Sequence, residues 1–146
     1  SQISGHTLVS SSLQLTFLDA LTYGLTPGLD HYAHQIQHTP TGMTCSLSLE
    51  SGLTTIPDIS IPLFGEHNLE NAVGAAALAH LAGASAPTIK SRLESFPGIH
   101  RRFQIHVNDP DRTYIDDYAH HQTEIAKTIE AMKAIPQPVG ILLLYS

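Results

Sequence analysis

The segment from Leu69 to Ala82 constrains the fold most, because it has the composition of a helix that is apolar on almost every side. A surface helix has one apolar stripe, whereas a helix that is apolar all round must be covered on most sides. Asn68 is the predicted N-cap of this helix, and Gly83 is a natural C-terminal stop. We therefore expect a buried helix with other layers of structure packed around it.

Before this helix the apolar residues recur with a period of two, which indicates strands with one buried face. One strand is predicted from the alternating residues Met43, Cys45, Leu47 and Leu49, and Ser51-Gly52 supplies a turn after it. A second strand contains Ile59, Ile61 and Leu63, and a third covers 32–38 with His34, Ile36 and His38 on one face. These strands predict an antiparallel meander.

After the buried helix, helix and strand patterns alternate. Ser85 is predicted to cap a helix that contains Ile89, Leu93 and Phe96. The remaining predicted elements are a hairpin of Phe103–Val107 with Thr113–Asp117, a helix from Gln122 to Ala134 and a continuously apolar strand from Val139 to Tyr145. The fold class is therefore α/β, and a chain that stops on a core strand indicates a fragment.

Composition excludes several classes of protein. The net charge is −6 with only 7 Lys and Arg, which excludes nonspecific binding to nucleic acid. A single cysteine, Cys45, cannot form an internal disulfide, so a cytoplasmic setting is expected. No apolar run reaches the roughly 18 residues of a membrane span. Because His31, His34 and His38 fall in a predicted strand, where His31 and His34 diverge, no metal site is assigned to them.

Three polar clusters are candidates for chemistry. Asn68 and Asn71 lie one helical turn apart, and their amides suit the edge of a purine base, although Asn68 as a mere N-cap is the simpler alternative. Arg101 and Arg102 follow a Pro-Gly turn, where one guanidinium could meet a phosphate or simply be solvated. The third cluster, at a strand-to-helix junction, suits ribose hydroxyls or simple helix capping, and contains Asp116, Asp117, His120 and His121.

Taken in order, these clusters resemble the Mur ligase family. The matching runs are Gly65 to Ala76 (Gly-x-His-Asn-x-x-Asn), Phe96 to Phe103 (Phe-x-Gly-x-x-Arg-Arg-Phe) and Asp116 to Glu124 (Asp-Asp-Tyr-Ala-His-His-x-Thr-Glu). The resemblance implies that residues 1–98 are the C-terminal portion of a central ATPase domain with a small antiparallel sheet. Residues 99–146 would begin a Rossmann-like C-terminal domain.

The resemblance also implies roles for single residues. His67, Asn68 and Asn71 would hold the adenine of ATP, and Asp117 and His120 would bind ribose or another part of the nucleotide. Arg102 would be the catalytic residue that touches the phosphates, with Arg101 as a second contact. The intact protein would use UDP-N-acetylmuramate and L-alanine in cytoplasmic peptidoglycan precursor synthesis, and its magnesium ligands would lie outside this segment.

The sequence departs from the family in ways that bear on activity. It has no glycine-rich phosphate-binding loop with its lysine, and Gln122 stands where the family has proline. Because phosphoryl transfer depends on positioning the phosphates, we expect this chain alone to be inactive. Three alternatives remain open: a ligase that recycles the murein tripeptide, a noncatalytic nucleotide-binding module, and an α/β domain whose clusters only cap helices and end strands.

Overall fold

The computed structural model describes residues 7–13, 19–99, 101 and 103–133. The predicted strand from Val139 to Tyr145, together with His100 and Arg102, lies outside the described residues. The strands are β1 (Thr7–Ser10), β2 (Ala20–Gly24), β3 (His31–Thr39), β4 (Gly42–Leu49), β5 (Thr54–Ile61), β6 (Gln104–Asn108) and β7 (Thr113–Asp116). The helices are α1 (Glu66–Leu81), α2 (Ala86–Glu94) and α3 (Gln122–Lys133).

The first five strands form one sheet in the order β1-β2-β3-β4-β5. The pairs β1–β2 and β2–β3 are parallel, whereas β3–β4 and β4–β5 are antiparallel. The predicted meander is therefore confirmed as β3-β4-β5, although β5 begins at Thr54 rather than near Ile59. All four alternating apolar residues of β4 are buried, namely Met43, Cys45, Leu47 and Leu49.

Two β-bulges lie side by side in the meander. The pairs His34–Ser46 and Gln37–Thr44 show an extra residue in β3, and β5 has an extra residue between Ile56 and Ile59. The bulged residues Gln35 and Asp58 have φ of 55° and 51°. Between them, Ser46 Oγ donates to Gln35 Oε1 at 3.0 Å and accepts from the Asp58 N–H at 3.4 Å.

The bulge in β3 overturns one expectation about its histidines. His34 pairs with Ser46 and His38 pairs with Met43, and these two partners lie on opposite faces of β4. His34 and His38 therefore do not share a face, because the extra residue at Gln35 inverts the alternation.

Helix α1 covers the sheet with its buried residues, which are Leu69, Ala72, Val73, Gly74, Ala76 and Ala77. Its N-cap is Gly65 with φ of 88°, so the prediction that Asn68 caps the helix is wrong. The positive φ of Gly65 turns the chain into the helix earlier, and Asn68 lies in the first turn with Nδ2 donating to the Phe64 carbonyl at 2.8 Å. One face of α1 is open, since Leu78 is 57% exposed.

The second half of the chain follows its prediction closely. Ser85 caps α2 by accepting from the Thr88 N–H at 3.4 Å. Strands β6 and β7 form an antiparallel hairpin, and α3 begins at Gln122 as predicted. A small apolar cluster of Phe64, Phe103 and Ala131 joins this half to the end of β5, with the two phenyl centroids 5.8 Å apart. The domain boundary between residues 98 and 99 stays a prediction. No helix in the described part of the chain has the length and apolarity to cross a membrane.

His31, at the start of β3, is a completely buried polar residue, with 0% of its surface exposed. The Glu50 N–H donates to His31 Nδ1 at 3.4 Å, which requires that this nitrogen carry no proton. Burial is the largest of the causes that lower the pKa of His31. The charges of Asp30 and Glu50 raise this pKa, whereas the charge of His80 lowers it further. His31 is therefore neutral in the folded chain at neutral pH.

We expect the free energy of unfolding to fall as the pH drops below the ordinary histidine pKa of 6.5. Between 6.5 and the lower pKa of folded His31, the unfolded chain binds a proton there that the folded chain does not. One such group changes stability by at most about 1.4 kcal/mol per pH unit. Urea unfolding from about pH 5 to pH 7.5 measures the slope, which should be shallower in His31→Gln. An unchanged slope in that variant would assign the effect to another group.

Candidate functional site

A cleft of about 500 Å³ lies where the first turns of α1 face the segment that joins β7 to α3. Parallel and mixed α/β folds place their ligands beside the carboxyl ends of strands. Asp117, the residue that follows the carboxyl end of β7, is part of one wall of this cleft. Its polar lining comes from both halves of the chain and includes Asn68, Glu70, Asn71, Asp117, Glu124, Lys127 and Thr128. The structure thus brings together the first and third of the predicted clusters.

Asn68 and Asn71 stand at the border between this polar cleft and a second, apolar groove. The groove has a volume of about 370 Å³ and lies between α1 and α2, where Ala72, Ala75 and Phe96 contribute to its walls. Both asparagines line both spaces, because they are three residues apart and share one face of the helix. The side chain of Asn71 is exposed, so its amide donors and acceptor are available to a ligand.

Asp117 forms the opposite wall, immediately after β7. Its Oδ2 accepts a hydrogen bond from Thr128 Oγ1 at 2.5 Å, which ties the loop to α3. Asp116, by contrast, faces Arg101 and His106, with its Oδ2 at 3.6 Å and 4.0 Å from Arg101 Nε and His106 Nε2. The two adjacent carboxylates therefore point to different surroundings, and only Asp117 lines the cleft.

The lining of the cleft includes the acidic residues Glu70 and Glu124. Ser10 Oγ donates to Glu70 Oε1, and Ser12 Oγ lies 2.6 Å from Ser10 Oγ. Glu124 lies at the start of α3, where the N–H groups of His120 and His121 donate to its carboxylate at 3.1 Å and 3.3 Å. These two hydrogen bonds are the main reason that the pKa of Glu124 is below its ordinary value. Such a site favours hydroxyl and amino groups over phosphates.

His67 also lines the cleft, and its ring lies beside the Cα of Gly65. A Cβ at Gly65 would come within 2.9 Å of His67 Cε1 and 3.2 Å of the Ala131 Cβ on α3. At Gly65 the start of α1 therefore lies close to both the ring of His67 and Ala131 of α3. Glycine is required here both by its φ of 88° and by this contact.

The remaining predicted site residues lie elsewhere or beyond the described part. Arg101 has φ of 56°, and its guanidinium lies 5.3 Å from the centre of the Tyr118 ring, outside the lining of the cleft. His120 is exposed, with Nδ1 at 3.1 Å from the Tyr118 carbonyl oxygen. Arg102 lies outside the described residues, so its catalytic role stays a prediction.

Sequence reasoning gave no site role to several polar residues of the cleft, among them Ser10, Glu70, Lys127 and Thr128. Lys127 is exposed, and the carboxylate of Glu124 accepts from the N–H groups of His120 and His121 at the start of α3. Glu70 is three residues after His67, and this i, i+3 spacing was the available signal for it. In the described ranges no three His, Cys, Asp or Glu side chains are grouped as a metal site. The location of the magnesium ligands stays a prediction.

Comparison with known sequences gives a consistent result. No protein-family model matches the chain. It is 33% identical over 120 residues to the UDP-N-acetylmuramate–L-alanine ligase of Phenylobacterium zucineum, a match over 80% of this chain and 25% of that protein. It is 34% identical over 116 residues to the ligase of the same name from Cytophaga hutchinsonii, over 80% of this chain and 24% of that protein. The chain thus spans about a quarter of the length of these relatives.

Solved structures agree with the sequence comparison. The UDP-N-acetylmuramate–alanine ligase of Thermotoga maritima matches with a TM-score of 0.67 and 26% identity, over 79% of this chain and 26% of that chain. MurF of Acinetobacter baumannii matches with a TM-score of 0.68 and 26% identity, over 80% of this chain and 24% of that chain. The α/β architecture with its small antiparallel sheet is therefore that of these ligases. On the sequence relatives and these folds together, the chain belongs to the Mur ligase family.

Proposed function

We propose that this chain supplies the adenosine-binding part of an ATP-dependent ligase that joins L-alanine to UDP-N-acetylmuramate in the cytoplasm. The substrates follow from the names of the relatives, which are alanine ligases. The nucleotide site rests on one observation: Asn68 and Asn71 stand between an apolar groove and a polar cleft that contains Asp117.

This arrangement matches the two chemical halves of adenosine. The apolar groove, walled by alanines of α1 and by Phe96, can bury the faces of the adenine ring. An asparagine amide offers one acceptor and two donor hydrogens, which can pair with a ring nitrogen and the amino group of adenine. In the polar cleft, the carboxylate of Asp117 can accept hydrogen bonds from the ribose hydroxyls.

The phosphates require groups that the described cleft does not supply. Glu70, Asp117 and Glu124 give it three carboxylates against the single ammonium of Lys127, which disfavours a triphosphate at this spot. Arg102, with Arg101 as a second contact, remains our proposal for charge stabilisation at the phosphates, and magnesium would be held by residues outside this segment. ATP, when bound, supplies the phosphoryl group that activates the carboxylate of UDP-N-acetylmuramate toward the amine of L-alanine.

The site is tested by titrating the isotope-labelled chain with adenosine and following its amide NMR signals. We expect the signals of Asn71 and Asp117 to shift, and Asn71→Ala to weaken the affinity by roughly tenfold, the equivalent of one good hydrogen bond. The matched control is Gln37→Ala, which removes an exposed amide from β3 that lines neither the groove nor the cleft.

Two outcomes would contradict the proposal. Equal adenosine affinity in Asn71→Ala, Gln37→Ala and the unchanged chain would remove the base site from the border of the groove. Turnover of ATP with UDP-N-acetylmuramate and L-alanine by this chain alone would contradict the assignment of the phosphate machinery to other parts of the protein.

A further inference from the structure

Thr128 is a buried polar residue that has no role in the proposed contacts to the nucleotide. It lies on α3, and only 8% of its surface is exposed. Its Oγ1 donates to Asp117 Oδ2 at 2.5 Å, across eleven positions of the chain. A buried hydroxyl needs a hydrogen-bond partner. The Glu124 carbonyl lies 3.1 Å from Thr128 Oγ1, but the Asp117 carboxylate is closer and charged, so it is the main acceptor.

We infer that Thr128 is a positioning residue, which fixes the carboxylate of Asp117 so that one chosen oxygen faces the hydroxyls of a ribose. The inference rests on the proposed nucleotide site. It adds Thr128 to that site as a residue that acts on the ligand through Asp117.

The geometry leaves the two oxygens of Asp117 in different situations. Oδ2 already accepts from Thr128, whereas within the described part of the chain no hydrogen bond reaches Oδ1. Oδ1 is therefore the oxygen with both lone pairs available to a ligand hydroxyl. Because hydrogen bonds to a charged oxygen are short and strong, the bond from Thr128 also restricts rotation of the carboxylate.

A restricted carboxylate binds more tightly than a free one, since less conformational freedom is lost when the ligand arrives. The Thr128 hydroxyl is held from a helix, which is more rigid than the loop that carries Asp117. The carboxylate of Asp117 on the loop is thus oriented by Thr128 on α3. A purely structural tie would stabilise the chain without affecting which ligands it prefers, and this difference is measurable.

The experiment compares adenosine with 2′,3′-dideoxyadenosine, which lacks the 2′ and 3′ hydroxyls of the ribose, by NMR titration of the chain. Four variants are titrated: Thr128→Val, Thr128→Ser, Asp117→Asn and, as a control for replacing hydroxyl by methyl at an exposed site, Thr55→Val on β5. We expect the unchanged chain to prefer adenosine by roughly tenfold, as for one charge-assisted hydrogen bond. Thr128→Val should lose most of this preference, and Thr128→Ser and Thr55→Val should retain it.

The possible failures are distinguishable. If Asp117→Asn loses the preference and Thr128→Val keeps it, Thr128 does not position the carboxylate and the inference is overturned while the ribose contact stands. If the unchanged chain binds the two nucleosides equally, Asp117 does not contact ribose, and the proposed site fails together with the inference. A thermal melt of each variant accompanies the titrations, and an equal loss of affinity for both nucleosides in Thr128→Val, with the preference unchanged, also overturns the inference.

Discussion

Replacing Gly65 by alanine should lower the free energy of unfolding by about 3 kcal/mol, because two penalties act at the same atom. The backbone at this residue has φ of 88° and ψ of 134°, a region that side chains with a Cβ avoid. The new Cβ would also lie 2.9 Å from the ring of His67 and 3.2 Å from the Cβ of Ala131. Relief requires the His67 ring to turn, α1 to start later or α3 to move, and because His67 lines the cleft each change alters that wall.

Gly83→Ala is the control for adding a Cβ at a glycine of positive φ that has open space around it. Gly83 also has a positive φ, of 90°, but no atom lies within 4 Å of the position of its Cβ. We expect Gly65→Ala to lose about 1–3 kcal/mol more than Gly83→Ala, which is the usual cost of overpacking. Equal losses in urea unfolding would show that the contact with His67 and Ala131 is not tight. Adenosine affinity should fall in Gly65→Ala only.

Leu69→Ala should cost about 3–4 kcal/mol, because the side chain is part of the main core and leaves a cavity when it is shortened. Leu69 is 0% exposed and packs on α1 between the helix and the sheet. Asn68 is its neighbour in sequence, so the same substitution loosens the first turns of the helix that carry the amides. Urea unfolding measures the loss of stability.

Leu78→Ala is the control on the same helix. Leu78 is 57% exposed, so the change removes little buried surface, and alanine is an excellent helix former. We expect a change of stability within about 0.5 kcal/mol. A loss at Leu78 comparable to that at Leu69 would mean that the open face of α1 is covered in solution.

The contrast between these two leucines shows where sequence reasoning about the fold stops. The composition of α1 predicted burial on most sides. Nothing in a run of alanines indicates that the face with Asn71, Ala75 and Leu78 stays open. In β4, by contrast, the strict alternation around Leu47 predicted both the strand and its buried face. The Ser85 cap was predictable as well, because its side chain bonds a nearby N–H and needs no distant partner.

The start of α1 was mispredicted for a physical reason. Asn68 has the side chain of an N-cap, but Gly65 can adopt the positive φ that starts the helix earlier. Asn68 was thereby moved from the cap to the first turn, where it lies beside the groove. For the cleft, Asn71 and Asp117 were candidates from the types and spacing of their side chains, and both lie in its lining, while their roles toward a nucleotide stay a prediction. Thr128 and Ser10 were not, because their partners come from elements far along the chain.

The paired bulges around Ser46 have a consequence for the fidelity of strand pairing. A slip of β4 by one residue would exchange its two faces and move Met43, Cys45, Leu47 and Leu49 off the apolar face, which is all that opposes a slip in a plain meander. Here the Ser46 hydroxyl fits between Gln35 and Asp58 on both neighbouring strands at once. A slipped strand would lose both hydrogen bonds together. Ser46 therefore favours one register of β3, β4 and β5 over the alternatives. The sheet beneath α1 is therefore built to reject mispaired intermediates as well as to be stable once formed.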